Sequence, residues 1–135
     1  MKMRFAHISE LVIVSGTGHI SILNSYDAMT IAGLPAVIPK MYVAVGITAE
    51  RQGEGGSHSV KLEFRDPESR PIWVMEGNFS LPESVGILPG FNLNFVQQAV
   101  NISTWGLHEL LISLDGAHTM TLDLNVMKGV QTDGG

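Results

Sequence analysis

The stretch WGLHELLISLDGAHTMTLDLNV, residues Trp105–Val126, decides the fold class of this 135-residue chain. It places one Asp-Gly pair, Asp115-Gly116, between two runs in which apolar and polar residues alternate. Alternation with a period of two is typical of half-buried β-strands, and Asp-Gly between such runs is a strong signal for a β-hairpin. The stretch therefore predicts two antiparallel strands joined by a structural turn at Asp115 and Gly116.

The apolar rows of the two arms determine the length of the hairpin loop. If the Asp-Gly pair alone formed the loop, Leu114 would pair with Ala117. The apolar row of each arm would then lie opposite the polar row of the other, which splits the core face. A three-residue loop, Leu114–Gly116, with its glycine left-handed before a bulge, aligns Leu110 with Met120. We therefore predict this loop, or a bulge of equivalent parity.

Two histidines, one on each arm, are candidates for chemistry. In the predicted register His108 faces Leu122 and His118 faces Ile112, about two strand pairs apart, which is too far for both to bind one metal ion directly. The five histidines of the chain show no His-X-His or HExxH spacing. We therefore predict no metal site and interpret both hairpin histidines as packing positions.

Short apolar runs separated by fifteen Gly and six Pro fill the rest of the chain. Such runs with turn signals between them predict an all-β protein. Counting the hairpin, we expect about eight strands in a single-domain antiparallel β-sandwich, in immunoglobulin-like or jelly-roll order. Outside the hairpin the strands are expected at residues 4–14, 19–31 with a bend near 24–27, 41–50, 59–65, 72–81 and 91–96, with 97–100 as short helix or further strand.

Three segments between these strands have the composition of loops and turns. Residues 33–39 contain two prolines four apart, which argues against a central strand. Residues 51–57 are polar and glycine-rich, which predicts a mobile linker. Residues 66–71 begin with Asp66-Pro67, which predicts a turn that the aspartate caps. We expect one domain over residues 1–127 and a flexible tail over 128–135.

Composition limits the classes of function. Charged residues make up 16% of the chain and the net charge is −5, which leaves a weakly charged surface that favours a homo-oligomer. The eight basic residues are dispersed, so nucleic acid is not an expected partner. The absence of cysteine excludes thiolate chemistry and is compatible with the cytoplasm. No apolar stretch reaches the 18 residues of a membrane span.

The bend and the apolar segment after it supply the candidates for a ligand site or an interface. Tyr26 and Asp27 are the polar residues at the bend, and the Pro-bounded segment that follows is apolar without fitting a central strand. The competing interpretation is a loop that covers the end of the core. The full set of candidates is Tyr26, Asp27, Met29, Ile31, Leu34, Pro35, Val37, Ile38 and Met41.

Catalytic motifs are absent from the sequence. There is no GxSxG, and the glycine clusters at 16–18 and 53–56 precede no helix and no GKS or GKT. We therefore assign no catalytic residue and no cofactor.

Five stretches carry a resemblance to a known family: residues 19–27, 34–39, 62–71, 92–95 and 106–126. Together they resemble an uncharacterised bacterial family of small β-sandwich proteins, catalogued as a domain of unknown function. The resemblance implies the fold but no catalytic residue. Related sequences tend to have an aromatic residue where this chain has His108, which favours packing over metal binding at that position.

These observations lead to one expectation and two alternatives. We expect a cytoplasmic, non-enzymatic β-sandwich that acts as a binding or interaction module and self-associates, with an unknown protein or small molecule as partner. The first alternative is a small-molecule-binding or ligand-sequestering protein of bacterial or phage origin. The second is an enzyme of hydrolase or cupin type.

Overall fold

The computed structural model describes residues 1–17, 19–48, 55–81 and 90–129. The described residues form nine strands and no helix, so the all-β prediction is confirmed. No helix in these ranges is long and apolar enough to cross a membrane. The strands are β1 (Lys2–Val14), β2 (Ile20–Ser25), β3 (Ala28–Ile31), β4 (Ala36–Thr48), β5 (Gly56–Arg65), β6 (Pro71–Leu81), β7 (Gly90–Ile102), β8 (Gly106–Leu114) and β9 (Ala117–Lys128).

The strands form two sheets, in the orders β2-β1-β4-β7 and β3-β9-β8-β5-β6. Without β2 and β3, the orders β1-β4-β7 and β6-β5-β8-β9 correspond to A-B-E and C′-C-F-G of the immunoglobulin-like sandwich. The structure therefore has the immunoglobulin-like order, one of the two that the sequence left open. The pairing is antiparallel except between β3 and β9, which run parallel.

The core lies between the inner faces of the two sheets. Val60, Leu62 and Phe64 of β5 are 3%, 0% and 0% exposed, as the alternation of that strand predicts. Further side chains that are almost completely buried include Met41, Ile47, Ile102, Leu110, Ile112 and Leu124. The two sheets are thus held together by aliphatic and aromatic burial, the dominant favourable term in folding.

The hairpin turn differs from the prediction. Leu114 pairs directly with Ala117, and Asp115 and Gly116 both have positive φ, 49° and 79°, as a two-residue type I′ turn requires. The predicted three-residue loop is therefore wrong. The alternative, a bulge of equivalent parity, is what restores the register: it leaves Thr119 outside the pairing, between the partners of Ile112 and Ser113.

The shorter turn and the bulge each contribute one residue, so together they shift every pair beyond the bulge by two residues from the predicted partners. Leu110 faces Leu122 in place of Met120, and His108 faces Leu124 in place of Leu122. His118, predicted opposite Ile112, lies opposite Ser113. The apolar rows still coincide, because a shift of two residues keeps each side chain on the same face.

His108 is completely buried and acts in packing. Its ring stacks on Phe64 with centroids 5.6 Å apart, and its Nδ1 donates to the Gly106 carbonyl at 3.0 Å. His118 is exposed, with Nε2 2.8 Å from the Thr121 hydroxyl. The two imidazoles therefore lie in different environments, one inside the sandwich and one on its surface.

The segment over residues 33–39 was expected to be a loop, and this is wrong from Ala36 onward. β4 begins at Ala36 and pairs with β7, although Pro39 is absent from the ladder and Ala99 opposite it has φ of 52°. β1 pairs with β4 only over residues 42–48. The proline therefore lies where β4 has one neighbouring strand, which is where strands tolerate proline.

Four other predictions have mixed outcomes. The bend in residues 19–31 is present, and it divides the stretch into β2 and β3 in different sheets. Residues 97–100 are strand, not helix. The predicted linker at 51–57 lies mostly outside the described residues, since the chain is described again from 55 and β5 begins at Gly56. Of the predicted tail, Lys128 still belongs to β9, and residues 130–135 lie outside the described ranges.

The hairpin turn is tied to β5 through Asp115. Its carboxylate accepts the Ser59 backbone N–H at 2.9 Å and is 2.7 Å from His58 Nδ1, while its own N–H donates to the Ser59 carbonyl at 2.9 Å. The Ser59 N–H and then the His58 hydrogen bond lower the pKa of Asp115. The aspartate therefore stabilises the fold most in its ionised form.

We expect the contribution of Asp115 to stability to disappear in acid. Because its folded pKa is lowered, the contribution is complete above the unfolded carboxyl pKa of about 3.9 and is lost as the pH falls through the folded pKa. Asp115→Asn tolerates the left-handed conformation. It should lower the free energy of unfolding near pH 7 by about 1 kcal/mol or less, since the carboxylate is 47% exposed and water screens it.

Thermal unfolding of both forms from pH 7 to pH 3 tests this expectation. The difference in melting temperature between wild type and Asp115→Asn should narrow below about pH 4. Glu76→Gln, an exposed acid on β6, serves as the control and should show a small difference throughout. A difference for Asp115→Asn that stayed constant down to pH 3 would contradict this interpretation.

Candidate functional site

The chain crosses between the two sheets at Tyr26 and Asp27. The Tyr26 N–H donates to the Ile8 carbonyl of β1 at 2.9 Å, and the Asp27 carbonyl accepts the Asn125 N–H of β9 at 2.9 Å. Tyr26 is thus bonded to the sheet that contains β1, and Asp27 to the sheet that contains β9. This arrangement places the bend between β1 of one sheet and β9 of the other.

A cavity of about 420 Å³ lies at this crossing, and we call it the crossing cavity. This volume is within the range of small-molecule sites. Its lining comes from β1, the bend and β9: Ala6, His7, Ile8, Ser25, Tyr26, Asp27, Thr121, Leu122 and Asp123. Two carboxylates line it, and no Lys or Arg of the described residues does so.

Neither carboxylate of the crossing cavity has a described cationic partner. The ion pairs among residues 1–17, 19–48, 55–81 and 90–129 leave out Asp27 and Asp123. Both residues are exposed to solvent in the structure. The crossing cavity therefore presents uncompensated negative charge, with hydroxyl groups of Ser25, Tyr26 and Thr121 beside it.

His7 and Ser25 form a hydrogen-bonded pair on the rim, with Nδ1 and Oγ 3.1 Å apart. A serine nucleophile needs such a base, and the base in turn needs a group that orients it. The His7 ring stacks on Phe5 with centroids 5.8 Å apart, so an aromatic contact holds it. No described carboxylate hydrogen-bonds to this imidazole. The pair therefore offers a hydroxyl and an imidazole to a ligand, without the orienting carboxylate of a catalytic triad among the described residues.

Tyr26 separates the crossing cavity from a second cavity, the apolar cavity, of about 400 Å³. The apolar cavity is lined by Glu10, Tyr26, Met29, Ile38, Pro39 and Lys40. Burial and the nearby Glu10 carboxylate raise the pKa of Tyr26. The tyrosine hydroxyl consequently stays protonated and can donate a hydrogen bond at neutral pH.

A third cavity of about 390 Å³, between β6 and β7, has a different charge arrangement. Asp66 accepts the backbone N–H groups of Glu68 and Arg70 and the Arg70 Nε, each at 2.9 Å. The Arg70 N–H and the other contacts lower the pKa of Asp66. Its charge is thus used to build the turn, as the sequence predicts, whereas the Asp27 and Asp123 carboxylates make no hydrogen bond or ion pair with the described part of the chain.

The predicted site residues divide among different environments. Tyr26 and Asp27 line the crossing cavity, and Tyr26, Met29 and Ile38 line the apolar cavity. Ile31 and Leu34 pack against the core, Val37 is 56% exposed, and Met41 is 0% exposed. Pro35 is exposed. The structure therefore brings four of the nine candidates to the two cavities, and Met41 belongs to the core.

Sequence reasoning did not assign several lining residues to a site. In the crossing cavity these are His7, Ser25, Thr121 and Asp123, and in the apolar cavity Glu10 and Lys40. The interruption of an apolar run by His7 and Glu10 was a visible signal. Asp123 showed no such signal in the sequence, because it approaches Asp27 only through the parallel pairing of β3 with β9.

The described residues contain no group of three or more His, Cys, Asp or Glu placed to hold a metal ion. The lining of the crossing cavity adds the His7 imidazole to the two carboxylates, but these three groups are not placed together as a metal-binding set.

The strand order and the crossing cavity define an immunoglobulin-like β-sandwich with an acidic cleft where the chain passes between sheets. The chain belongs to the family described as "Family of unknown function (DUF6941)", whose model matches residues 4–127. This confirms the resemblance to a family of unknown function. No curated protein matches the chain.

Among solved structures, the chain is similar to part of a β-glucosidase from Listeria innocua, determined in complex with isofagomine. The sequence identity is 11% and the TM-score is 0.54. The match covers 94% of this chain and 16% of the glucosidase chain. The similarity therefore concerns the fold alone.

Proposed function

We propose that the chain is a non-enzymatic binding module of the cytoplasm whose crossing cavity holds a small organic cation. The observation that carries the proposal is the pair of carboxylates, Asp27 and Asp123, lining a cavity of about 420 Å³ without a described cationic partner. A cationic ligand would supply the missing positive charge. Hydrogen bonds to charged groups are stronger than those between neutral ones, so this pairing provides affinity as well as selectivity.

The polar neighbours define the ligand further. Ser25, Tyr26 and Thr121 contribute hydroxyl groups to the lining, and Ala6, Ile8 and Leu122 contribute apolar surface. A primary amine provides several donors to the carboxylates and hydroxyls, while a short carbon chain contacts the apolar residues. The ligand class that fits is therefore an aliphatic amine or diamine.

Calorimetric titration with 1,4-diaminobutane tests the proposal. We expect binding of the diamine and none of 1,4-butanediol, which has the same length without charge. Replacing both carboxylates, Asp27→Asn with Asp123→Asn, should weaken diamine binding by about tenfold or more, equivalent to about 1.4 kcal/mol. More salt should weaken it as well, because the site is open to solvent.

A second double variant controls for net charge. Glu68 and Glu76 are 68% and 72% exposed and lie outside the crossing cavity. Glu68→Gln with Glu76→Gln removes the same charge and should change the dissociation constant by less than about twofold. Equal weakening by the two double variants, or equal binding of the diol and the diamine, would overturn the proposal.

A further inference from the structure

The far side of β7 is an open sheet edge. β7 is the last strand of its sheet and pairs with β4 alone among the described strands. Its thirteen residues, GFNLNFVQQAVNI, contain no Lys, Arg, Asp, Glu, His or Pro. A long uncharged edge strand presents backbone N–H and C=O groups that a second strand can pair with.

The other three sheet edges each carry a protective feature. β2 has six residues and includes Asn24 with φ of 56°. β3 has four residues. β6 contains Pro71 and Glu76. Short strands, proline, charge and local distortion are the usual means of blocking edge-to-edge pairing. β7 is thus distinguished from the other described edges because it is thirteen residues long and also free of charge and proline.

The regular part of β7 is self-complementary. The ladder with β4 is continuous over residues 90–98 and is interrupted at Ala99, which has φ of 52°. We propose that two copies of this chain pair antiparallel through these nine residues, about a twofold axis at Asn94. Antiparallel pairing about this residue places Asn94 opposite its copy, Leu93 opposite Phe95, and Asn92 opposite Val96.

The pairing brings together compatible side chains. Leu93 with Phe95 is an aliphatic–aromatic cross-strand pair, of the kind that stabilises sheets. Asn94 opposite its copy allows amide hydrogen bonds, and no like charges meet. Because the same segment serves both partners, the interface is closed and stops at a dimer.

Cross-linking through an introduced cysteine tests the register. The chain has no cysteine, so any disulfide in Asn94→Cys must join two copies. Residues directly opposite in antiparallel strands have Cα atoms about 4.5–5.5 Å apart, within the range of a disulfide. Under mild oxidation Asn94→Cys should form a covalent dimer about tenfold faster than Val74→Cys, an exposed position on β6 that is 48% accessible.

Light scattering supplies the second measurement. The wild type should show twice the single-chain mass of 14.6 kDa at micromolar and higher concentrations. Asn94→Lys places two like charges opposite each other and should raise the dimer dissociation constant about tenfold or more, while Asn94→Ser should stay dimeric with an unchanged circular dichroism spectrum. A wild-type monomer at micromolar concentration, equal cross-linking of the two cysteine variants, or a dimer dissociation constant unchanged by Asn94→Lys would overturn the proposal.

Discussion

Phe64→Ala should reduce the free energy of unfolding by about 3–5 kcal/mol, the largest effect that we expect from a single substitution. Phe64 is 0% exposed, and its ring lies between those of Trp73 and His108, with centroid distances of 5.9 Å and 5.6 Å. Truncation would remove the apolar transfer energy of the ring and leave a cavity between two aromatic neighbours. Since domains of this size are stable by about 5–15 kcal/mol, the variant is expected to be marginally folded.

Urea unfolding followed by tryptophan fluorescence measures this effect, because Trp73 contacts the substituted position. Phe64→Leu, which retains much of the buried volume, should lose less than the alanine variant. Val74→Ala, at an exposed position on the neighbouring strand, is the control and should change stability by less than about 0.5 kcal/mol. A loss below about 1 kcal/mol in Phe64→Ala, with the urea dependence unchanged, would show that this aromatic stack does not support the core.

Gly46→Ala should destabilise the sandwich by about 1–3 kcal/mol, as expected of an overpacked site. Gly46 pairs with Phe5 of β1, and a Cβ at this glycine would have three atoms of the Phe5 ring within 2.7 Å. The ring is held in place by stacking on His7 and by the Arg4 guanidinium, 5.7 Å from its centroid. The glycine is therefore needed for space.

A double-mutant cycle separates this clash from other effects. Gly46→Ala in a Phe5→Ala background should cost less than it does in the wild type, because the ring that blocks the Cβ is absent. Gly77→Ala is the matched control: this strand glycine has its nearest atom, Val60 Cγ1, at 3.9 Å, so we expect little change. If the substitution at Gly46 cost the same with and without the Phe5 ring, the steric explanation would be wrong.

Local patterns predicted most of the elements of the fold. The alternation of Val60, Leu62 and Phe64 identified the core face of β5, and Asp66 identified the turn that it caps. Apolar parity in the last hairpin showed that a bulge or an odd loop was needed. It could not show where the extra residue lies, because an odd loop and a bulge at Thr119 restore the same parity.

The features that could not be predicted depend on pairing between strands that are far apart in the sequence. Pro39 correctly indicated that this part of the chain is not a strand with neighbours on both sides. Local composition did not show that β1 stops pairing with β4 before the proline, which leaves room for a strand with one neighbour. The same holds for the crossing cavity. The bend at Tyr26 and Asp27 was predictable, whereas its approach to Asp123 depends on residues about a hundred positions apart joining in parallel strands. One wall of the site could therefore be predicted and the opposite wall could not.

A two-dimensional ¹H–¹⁵N NMR titration with 1,4-diaminobutane shows directly whether the crossing cavity binds a small organic cation. We expect saturable shifts of the backbone amides of Ser25, Tyr26, Asp27 and Asp123, with the amides of β6 unaffected. These shifts should disappear in the Asp27→Asn, Asp123→Asn double variant. Shifts centred elsewhere, or none at millimolar diamine, would contradict the assignment of this cavity as the ligand site.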